Sequence, residues 1–387
     1  MGIRQHVDEW LAAHGETVIG WRRHFHTHPE LSHQERRTTE FITTVLREHG
    51  MTPTLFPTTG LMVDIGPGVG PRIAFRADLD ALPIEETAPV AFRSASPGVM
   101  HACGHDFHIA AVLGAALLLK QREAKLAGRV RIFFQPAEEA PGGAKVLIEA
   151  GALQDVAAIF GLHASPLLEV GTVGISAGAV MAAVDRFVFR FRGKGTHAAH
   201  PEAGVDPIPL AAAFVQSVQT VVARNLNPFS AGLVSVTHIE AGNTWNVISE
   251  EALVEGTTRS MNAQERAHIR ARVCALADQL AAAYGATVET DWYEGPPATV
   301  NDDFWAVYAE EKAKERNLTV VPAPKSLGGE DFAFYQEKVP GMFVLVGTGL
   351  SPALHNPSFR IDPSALAPTA HYLAELVCGA FKKEKER

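Results

Sequence analysis

The chain has few cysteines and no long apolar run, and both absences exclude classes of protein. Its 387 residues contain 3 cysteines, too few and too widely spaced for the disulfide framework of a small secreted domain. No apolar stretch reaches the roughly 20 residues that a membrane-spanning helix needs. The first ten residues, MGIRQHVDEW, are polar and lack the apolar core of an export signal. These features predict a cytoplasmic protein that does not enter a membrane.

An excess of positive charge is also missing. Lys and Arg number 34 against 43 Asp and Glu, which gives a formal net charge of −9. This balance disfavours nucleic acid and anionic membrane surfaces as partners. A hydrophobic fraction of 47% over 387 residues is that of an ordinary globular protein, long enough for a large core and two or three domains.

Side chains that bind metals follow several short apolar strands. Asp78 follows the strand RIAFR, Glu138 and Glu139 follow RVRIFF, His163 comes directly after VAAIFGL, and His355 comes after MFVLV. Helical segments separate these strands, which predicts an α/β fold with a mainly parallel sheet covered by helices. Because ligands bind at the carboxyl ends of strands in such sheets, we expect these side chains to converge in one metal centre.

Cys103 and His105 lie in the segment MHACGHDFH, directly before a run of small and apolar residues that predicts a buried helix. Gly104 between them permits backbone angles that other residues avoid. A thiolate and an imidazole held in this turn suit a borderline metal such as zinc. His101 and His108, which flank the pair, are interpreted as packing or hydrogen-bonding residues.

The middle of the chain has a different rhythm. Alternating apolar and charged residues in AVDRFVFRFR predict a half-buried strand, and the segments after it predict the order β-α-β-β-α-β of a ferredoxin-like domain. We therefore predict a discontinuous catalytic domain, residues 1–182 and 295–387, with an inserted domain at residues 183–294. The antiparallel sheet of the insertion should have one face covered by helices and the other free to pair.

Nine motifs, in order along nearly the whole chain, resemble one enzyme family. They are FHTHPELSHQE, FRADLDALPI, MHACGHDFH, QPAEE, GLHASP, GKGTHAAHPE, GTTRSM, GGEDFAFY and LHNPSF. With them the chain resembles the metal-dependent aminoacylase and carboxypeptidase family, in the branch of the hippurate hydrolases and the plant auxin-conjugate (indole-acetyl-amino-acid) amidohydrolases. The resemblance implies an aminopeptidase-like hydrolase domain with two metal ions, and a smaller lid or dimerisation domain that would make a homodimer or dimer-based oligomer.

The resemblance also implies a ligand set, by matching motif. Two divalent metal ions per subunit are expected, and zinc, manganese, cobalt and nickel all remain open. Cys103 stands at the position of the family's bridging ligand. His105 and His163 would complete one metal site, while Glu139 and His355 would complete the other.

The remaining assignments concern the reaction. Glu138 matches the family's general base, and His197 matches a lid histidine that steadies the oxyanion, often in a partner subunit's site. Asn246 and Arg259 match lid positions that hold the carbonyl or carboxylate of the substrate. The implied activity is hydrolysis of the amide bond of N-acyl (acetyl, benzoyl or similar) amino acids to a carboxylate and a free amino acid, through a metal-activated water.

Adjacent glutamates suit a division of labour. Neighbouring side chains point to opposite sides of an extended segment, so we expect Glu139 to face the metal and Glu138 to face the water, as a base would. Asp78 either orients the cluster through a hydrogen bond to a ligand or caps its own turn. Asp80 is interpreted as structural.

Three other functions stay open at this point. A carboxypeptidase or dipeptidase would cleave short peptides with the same two metals. A cysteine enzyme would use Cys103 as a nucleophile activated by His105. A metal-binding or scaffold protein without catalytic activity would hydrolyse nothing, even when it is loaded with metal.

Overall fold

A computed structural model describes residues 3–68 and 70–387, with the backbone alone for residues 3–12. Residues 1, 2 and 69, which the predicted catalytic domain includes, lie outside this part. The described α-helices are α1 (Ile3–Thr27), α2 (Arg36–Glu48), α3 (His105–Gln121), α4 (Gly143–Glu149), α5 (Pro207–Asn225), α6 (Ala263–Ala283), α7 (Asp303–Glu315), α8 (Ala333–Gln336) and α9 (Leu366–Glu384). None of them combines the length and apolar character that crossing a membrane requires.

The described strands are β1 (Thr54–Leu55), β2 (Leu61–Ile65), β3 (Arg72–Asp78), β4 (Arg129–Gln135), β5 (Val156–Ser165), β6 (Thr172–Gly174), β7 (Gly178–Met181), β8 (Ala183–Arg192), β9 (Thr196–His197), β10 (Gly232–Ala241), β11 (Val247–Ile248), β12 (Glu251–Ser260), β13 (Thr287–Glu294), β14 (Thr299–Asn301), β15 (Thr319–Val321) and β16 (Gly341–Gly347). Eight of them form one sheet in the order β1-β2-β4-β3-β5-β16-β6-β15. Its central strands β4, β3, β5 and β16 are parallel, and every residue of β3 is buried, which is typical of a strand covered on both faces. The predicted α/β class and mainly parallel sheet are confirmed.

Helix α3 is buried on every side. Its residues 105–119 are all buried, as expected of a helix that is apolar all round. Gly114 allows this packing, because a Cβ there would lie 3.1 Å from Cβ of Ala370 in α9 and 3.4 Å from a methyl group of Val18 in α1. Close-packed interiors tolerate such added atoms poorly. The helix that begins at His105 is thereby held between two others.

The contacts within the chain define two units. One contains the described residues up to 178 together with residues 300–324 and 334–387, and the other contains residues 179–299 and 325–333. Residues 325–333 therefore lie with the second unit, whereas the sequence-based division gave them to the catalytic domain. The predicted domain boundaries remain a prediction about which segments act together.

The second unit has a four-stranded antiparallel sheet in the order β10-β12-β8-β13, and its elements follow the chain order β8-α5-β10-β12-α6-β13. One face is apolar: Phe187, Phe189 and Phe191 of β8 are buried in a cluster with Phe214 of α5 and Ile269 of α6. Alternate residues of a strand point to opposite faces, so the phenylalanine spacing explains this one-sided core.

The opposite face of that sheet is charged. The arginines of β8 form ion pairs with carboxylates on the neighbouring strands, Arg186 with Glu255, Arg190 with Asp291, and Arg192 with Glu251 and Glu289. Exposed pairs of this kind contribute little to stability. The face that we expected to be free for pairing therefore carries ion pairs within the chain but stays largely exposed, and its pairing remains a prediction.

A buried cluster of four ionisable side chains anchors the first turn of α3. Asp106 accepts hydrogen bonds from Nε of Arg22 and from Nδ1 of His26, each at 3.0 Å, and Nε2 of His26 lies 3.0 Å from Oε1 of Glu86. Arg22 also donates to the carbonyl oxygen of Ile361 at 3.1 Å. Although burial favours neutral imidazole, the hydrogen bonds to Asp106 and Glu86 raise the pKa of His26 to about 9.

We predict that His26 makes the stability of the protein depend on pH. The pKa of His26 is higher in the folded chain than its ordinary value of 6.5, so its stabilising contribution is complete below pH 6.5 and is lost as the pH rises to about 9. The loss relative to a His26→Gln variant should be roughly 3 kcal/mol. Urea unfolding between pH 6 and 9.5 measures it, with the exposed residue change His268→Gln as control. Equal pH slopes for the wild type and His26→Gln would exclude this contribution.

Candidate metal centre

The predicted donor side chains of the first unit meet at one edge of the large sheet. Asp78 is the last residue of β3, Glu139 follows β4, and His355 follows β16. His163 lies inside β5, which runs three residues further than the predicted strand 156–162. Cys103 precedes α3, which begins at residue 105. The carboxyl ends of parallel strands share one edge, and this brings the side chains together.

Two groups of donor atoms share the sulfur of Cys103. Its Sγ lies 3.4 Å from Nε2 of His163 and 3.4 Å from Nε2 of His355, and Nε2 of His355 lies 3.2 Å from Oε1 of Glu139. In one group the donor atoms of Cys103, His105 and His163 all lie within 4.8 Å of one another, and in the other those of Cys103, Glu139 and His355 do. The structure therefore brings together all five residues predicted as metal ligands.

The turn between Cys103 and His105 requires glycine. Gly104 has φ +86° and caps the N-terminus of α3, in the left-handed region that residues with a Cβ avoid. A Cβ at this position would also lie 3.0 Å from Cβ of Ala164 and 3.1 Å from Cδ1 of Ile361. The unusual backbone angle expected from the sequence is confirmed, and it directs two donors into one space.

Backbone carbonyls fix the orientation of two imidazole rings. Nδ1 of His163 lies 2.8 Å from the carbonyl oxygen of Ala164, and Nδ1 of His105 lies 2.8 Å from that of Asp80. A ring that donates through Nδ1 presents its other nitrogen as a donor to a metal. Nε2 of His105 is buried and has no hydrogen-bond partner among the described residues, so it is available for such a bond.

His108 plays a different part from His105. Its Nδ1 lies 2.6 Å from Oδ1 of Asp78, and its Nε2 accepts the amide hydrogen of Ala164 at 2.8 Å. Burial lowers the pKa of His108 to about 4, so the ring is neutral, with one nitrogen donating and the other accepting. Asp78 is bound further by Nη1 of Arg76, at 2.5 Å. Asp78 thus holds, through His108, the residue that follows His163.

The two glutamates lie in a bend rather than in the extended segment expected from the sequence. Ala137 has φ +53°, and the amides of Glu138 and Glu139 donate to Oδ1 and Oδ2 of Asp80 at 3.0 and 2.9 Å. Both carboxylates consequently turn toward the same ring: their oxygens and a nitrogen of His105 lie within 4.8 Å of one another. The expectation that they face opposite sides was wrong because one carboxylate binds both of their amides.

Negative charge dominates this space. Although burial opposes protonation, the carboxylates of Asp78, Asp80 and Glu139 raise the pKa of His105 to about 10. Burial and the nearby carboxylates raise the pKa of the Cys103 thiol well above its usual value. A cysteine nucleophile needs a lowered pKa, so these surroundings do not activate Cys103 through His105.

The donor set fits divalent cations. Sulfur and nitrogen ligands of one tetrahedral zinc ion, at about 2.3 and 2.1 Å from the metal, are separated by about 3.6 Å, and Sγ of Cys103 lies 3.4 Å from Nε2 of His163. Nε2 of His105, which has no hydrogen-bond partner among the described residues, is free to bind a metal ion. The surrounding carboxylates, which raise the pKa of His105, would also stabilise a cation here. Thiolate, imidazole and carboxylate together suit borderline ions such as zinc, cobalt, nickel or manganese.

The predicted lid residues lie in the second unit. His197 in β9 pairs with Val247 of β11, and the carbonyl oxygen of Asn246 accepts the amide hydrogen of Ala198 at 3.0 Å. His197 and Asn246 therefore occupy one short ribbon. It borders an open cavity of about 570 Å³ lined by Gly195, Thr196, His197, Asn243, Val247, Ile248, Ser249 and Glu250.

Arg259 makes its hydrogen bonds within its own strand and not to that ribbon. It is in β12, and its Nη1 donates to Oγ1 of Thr257 and, at 2.9 Å, to the carbonyl oxygen of Thr258. Burial lowers the pKa of Arg259. Its guanidinium is bound within its own strand, which leaves its predicted contact with substrate a proposal.

Two residues that hold the site were missed or underrated by sequence reasoning. Asp80 was interpreted as structural, and it fixes the backbone of both glutamates. Glu35, which accepts the amide hydrogen of Ala137, was not singled out. The motif FRADLDALPI contains Asp80 two residues after Asp78, and this spacing could have indicated a shared role. Glu35 is the last residue of the motif FHTHPELSHQE, but its residue types alone do not indicate a contact with the bend at residue 137.

Known proteins resemble the whole chain. A family model described as peptidase family M20/M25/M40 matches residues 74–378. An N-acetyl-L-cysteine deacetylase of Bacillus subtilis (strain 168) is 44% identical, with 92% of this chain and 86% of the relative covered. IAA-amino acid hydrolase ILR1-like 5 of Arabidopsis thaliana is 36% identical, with 93% and 85% covered. A Bacillus subtilis crystal structure, described as a dinuclear metal-binding peptidase of the M20 family, has a TM-score of 0.87 and 41% identity and covers 96% of this chain and 99% of its own.

We predict that Cys103→Ala weakens metal binding. The substitution removes the sulfur common to both donor groups, so the affinity for metal should fall by at least about 100-fold, the upper end of what loss of an outer-shell partner of a ligand costs. Competition with a chromogenic chelator and plasma emission of the purified protein measure affinity and content. Cys378→Ala, a change at a thiol outside both groups, should bind metal as the wild type does. Unchanged affinity in Cys103→Ala would refute a bridging role for the sulfur.

Proposed function

This chain belongs to peptidase family M20/M25/M40, and from that premise we propose that it is a metal-dependent amidohydrolase that cleaves N-acyl amino acids to a carboxylate and a free amino acid. The observation that carries this proposal is the pair of donor groups that share Cys103. Relatives named as an N-acetyl-L-cysteine deacetylase and an IAA-amino acid hydrolase support an amide of an acylated amino acid as the substrate.

Five residues are proposed to hold two divalent ions. His105 and His163 would hold one ion and Glu139 and His355 the other, and Cys103, whose sulfur is common to both donor groups, would contribute to each. When bound, such ions make water a stronger acid and draw electron density from a carbonyl oxygen. The imidazole of His355 is half-exposed, so this ligand position is accessible from solvent.

Glu138 is proposed as the general base. Its carboxylate accepts a proton from the attacking water and gives that proton to the leaving amide nitrogen. A base can do this only if its position is fixed, and the amide of Glu138 is bound to Asp80 at 3.0 Å. The neighbouring Glu139 amide is bound to the same carboxylate, so Glu138 and Glu139 are held as one piece.

Residues 183–294, which lie within the second unit, are proposed to act as a ferredoxin-like lid and dimerisation domain. In this proposal His197 donates a hydrogen bond to the carbonyl oxygen as negative charge develops on it, while Asn246 and Arg259 hold the carbonyl or carboxylate of the substrate. The position of His197 and Asn246 in one ribbon beside an open cavity supports a shared role. A cytoplasmic homodimer or dimer-based oligomer completes the proposal, and the thiols of the cysteines suit a reducing compartment.

We predict that Glu138→Gln abolishes most turnover and leaves metal binding intact. The amide is isosteric with the carboxylate but cannot accept the proton, so kcat should fall roughly 10²- to 10⁴-fold. The assay uses metal-reconstituted protein with N-acetyl and N-benzoyl amino acids and dipeptides, and plasma emission gives the metal content. Glu149→Gln, a change at an exposed acid of α4, is the control.

The same assay separates the competing functions. Faster cleavage of dipeptides than of acylated amino acids would make the enzyme a dipeptidase or carboxypeptidase. Full activity after removal of metal by a chelator would favour the cysteine nucleophile. Normal turnover by Glu138→Gln would remove this residue from the mechanism.

We predict that His197→Ala lowers kcat more than it raises KM. A hydrogen bond that strengthens only as the oxyanion forms contributes on the order of 10²-fold to kcat. His200→Ala, three residues away and exposed, serves as the control. If His197 acts in a partner's site, mixed His197→Ala and Glu138→Gln subunits should regain activity; no recovery after demonstrated subunit exchange would refute action across subunits.

A further inference from the structure

Glu35 is a fully buried carboxylate outside both donor groups of the metal centre. It stands directly before α2 and does not cap that helix with its side chain. Oε1 accepts the amide hydrogens of Ala137 and His33 at 2.8 and 2.9 Å, and Oε2 accepts the hydroxyl hydrogen of Thr59 at 2.7 Å. Burying a carboxylate is costly unless its oxygens are bound, and burial raises the pKa of Glu35. Such a residue calls for an explanation beyond packing.

The two amides that share Oε1 belong to residues with unfavourable backbone angles. Ala137 has φ +53° and His33 has φ +65°, and for a residue with a Cβ this conformation costs about 1–2 kcal/mol. Hydrogen bonds to a charged acceptor are worth about 1.5–3 kcal/mol. Each bond can therefore offset the strain of the residue that donates it.

The segment that contains Glu35 holds the glutamate bend at both of its ends. Glu35 binds the amide of Ala137 at the start, and Nε2 of His33 lies 3.2 Å from the carbonyl oxygen of Pro141 at the finish. The same segment reaches the other carboxylate of the bend, because Oγ of Ser32 donates to Oδ2 of Asp80 at 2.6 Å. Residues 32–35 thus form one brace along the bend.

Three consecutive amides of the bend end on carboxylates. The amide of Ala137 is bound by Glu35, and those of Glu138 and Glu139 are bound by Asp80. With these bonds in place, the backbone before Glu138 cannot rotate without breaking at least one charged hydrogen bond. The direction in which the Glu138 side chain leaves the backbone depends on that rotation.

We propose that Glu35 is a positioning residue that acts through Ala137 to hold Glu138 and Glu139 in their working arrangement. The inference rests on the proposed role of Glu138 as base. It assigns Glu35 no contact with substrate or with metal. The brace holds Ala137 at its positive φ, and this backbone angle fixes the direction in which the side chains of Glu138 and Glu139 leave the backbone.

The test compares three substitutions at one hydrogen-bonding centre. Glu35→Asp keeps the charge but shortens the side chain by one methylene, so it should lose the hydrogen bond from the amide of Ala137. The value of kcat should then fall about 10- to 100-fold, the size of effect that a misplacement of about 1 Å produces. Glu35→Gln keeps an oxygen acceptor at the position of Oε1, so its kcat should stay within about fivefold of that of the wild type. Thr59→Val removes only the bond to Oε2 and should lower stability without lowering kcat.

A second measurement does not depend on activity. Hydrogen exchange of the peptide that covers residues 136–142, followed by mass spectrometry on the protein as purified, should speed up at least tenfold in Glu35→Asp, because a charged hydrogen bond is lost. Thr59→Val should leave this exchange close to that of the wild type. A merely structural Glu35 would lower the unfolding temperature in all three variants and move neither kcat nor this local exchange.

Glycine at residue 137 supplies the rescue. Glycine adopts positive φ without steric cost, so Glu35→Asp/Ala137→Gly should recover a measurable part of kcat. If Glu35→Asp alone does not fold, recovery of folded protein in the double variant supports the coupling, and failure to recover it overturns the coupling.

The outcomes separate this inference from the proposed function. Unchanged kcat and unchanged exchange in Glu35→Asp would overturn the positioning role, whatever the reaction is. Faster exchange in a protein whose wild type hydrolyses no acylated amino acid would support the brace and refute the proposed function. A fall in kcat that glycine at 137 does not relieve, with unchanged exchange, would place the effect of Glu35 elsewhere and overturn the inference.

Discussion

The candidate metal centre of the first unit depends on the sulfur of Cys103, because both groups of donor atoms share it. It lies 3.4 Å from two imidazoles and among carboxylates that, together with burial, raise the pKa of its thiol. A thiolate is stable in such surroundings only beside added positive charge. In the proposed metal site, ionisation of this sulfur and the binding of metal would therefore be one coupled event. Cys103 and His355 are 252 residues apart in the chain, and the parallel sheet is what brings them within reach.

The donors are oriented mainly by bonds to the backbone. Asp80 binds the amides of both glutamates, His108 binds the amide of Ala164, and the carbonyl oxygen of Asp80 orients His105. Backbone groups move less than side chains, so a bond to the backbone fixes its partner without the entropy cost of ordering a second flexible side chain. The carboxylates that do this work also supply negative charge, and they raise the attraction of the site for cations as well as its rigidity.

Sequence reasoning predicted the elements of this unit better than its bend. Apolar strands followed by polar residues can be recognised in the sequence, and the carboxyl ends of parallel strands meet at one edge of a sheet. This pattern predicted the convergence of Glu139, His163 and His355. The bend at Ala137 could not be foreseen, because an alanine with positive φ has no compositional mark and its cause is a carboxylate 102 residues earlier. The order β-α-β-β-α-β in the second unit could be predicted from the alternation of apolar and polar residues. Whether its His197 contacts a substrate depends on contacts that no local sequence pattern records.

Backbone strain in this protein collects around the metal centre. Of the five non-glycine residues with positive φ in the described chain, Ala137 precedes the glutamates, His33 shares a carboxylate with Ala137, and His355 is itself a proposed ligand. Each such residue costs of order 1–3 kcal/mol, and the amide of His355 is held by the carbonyl oxygen of Ala102 at 2.8 Å. Glycine would remove the steric cost at Ala137 but would admit many other conformations in both the folded and the unfolded chain. An alanine held in one conformation by a charged acceptor lowers stability but gives Glu138, the proposed base, a single direction. Proton transfer by such a base depends on placement to within about 1 Å.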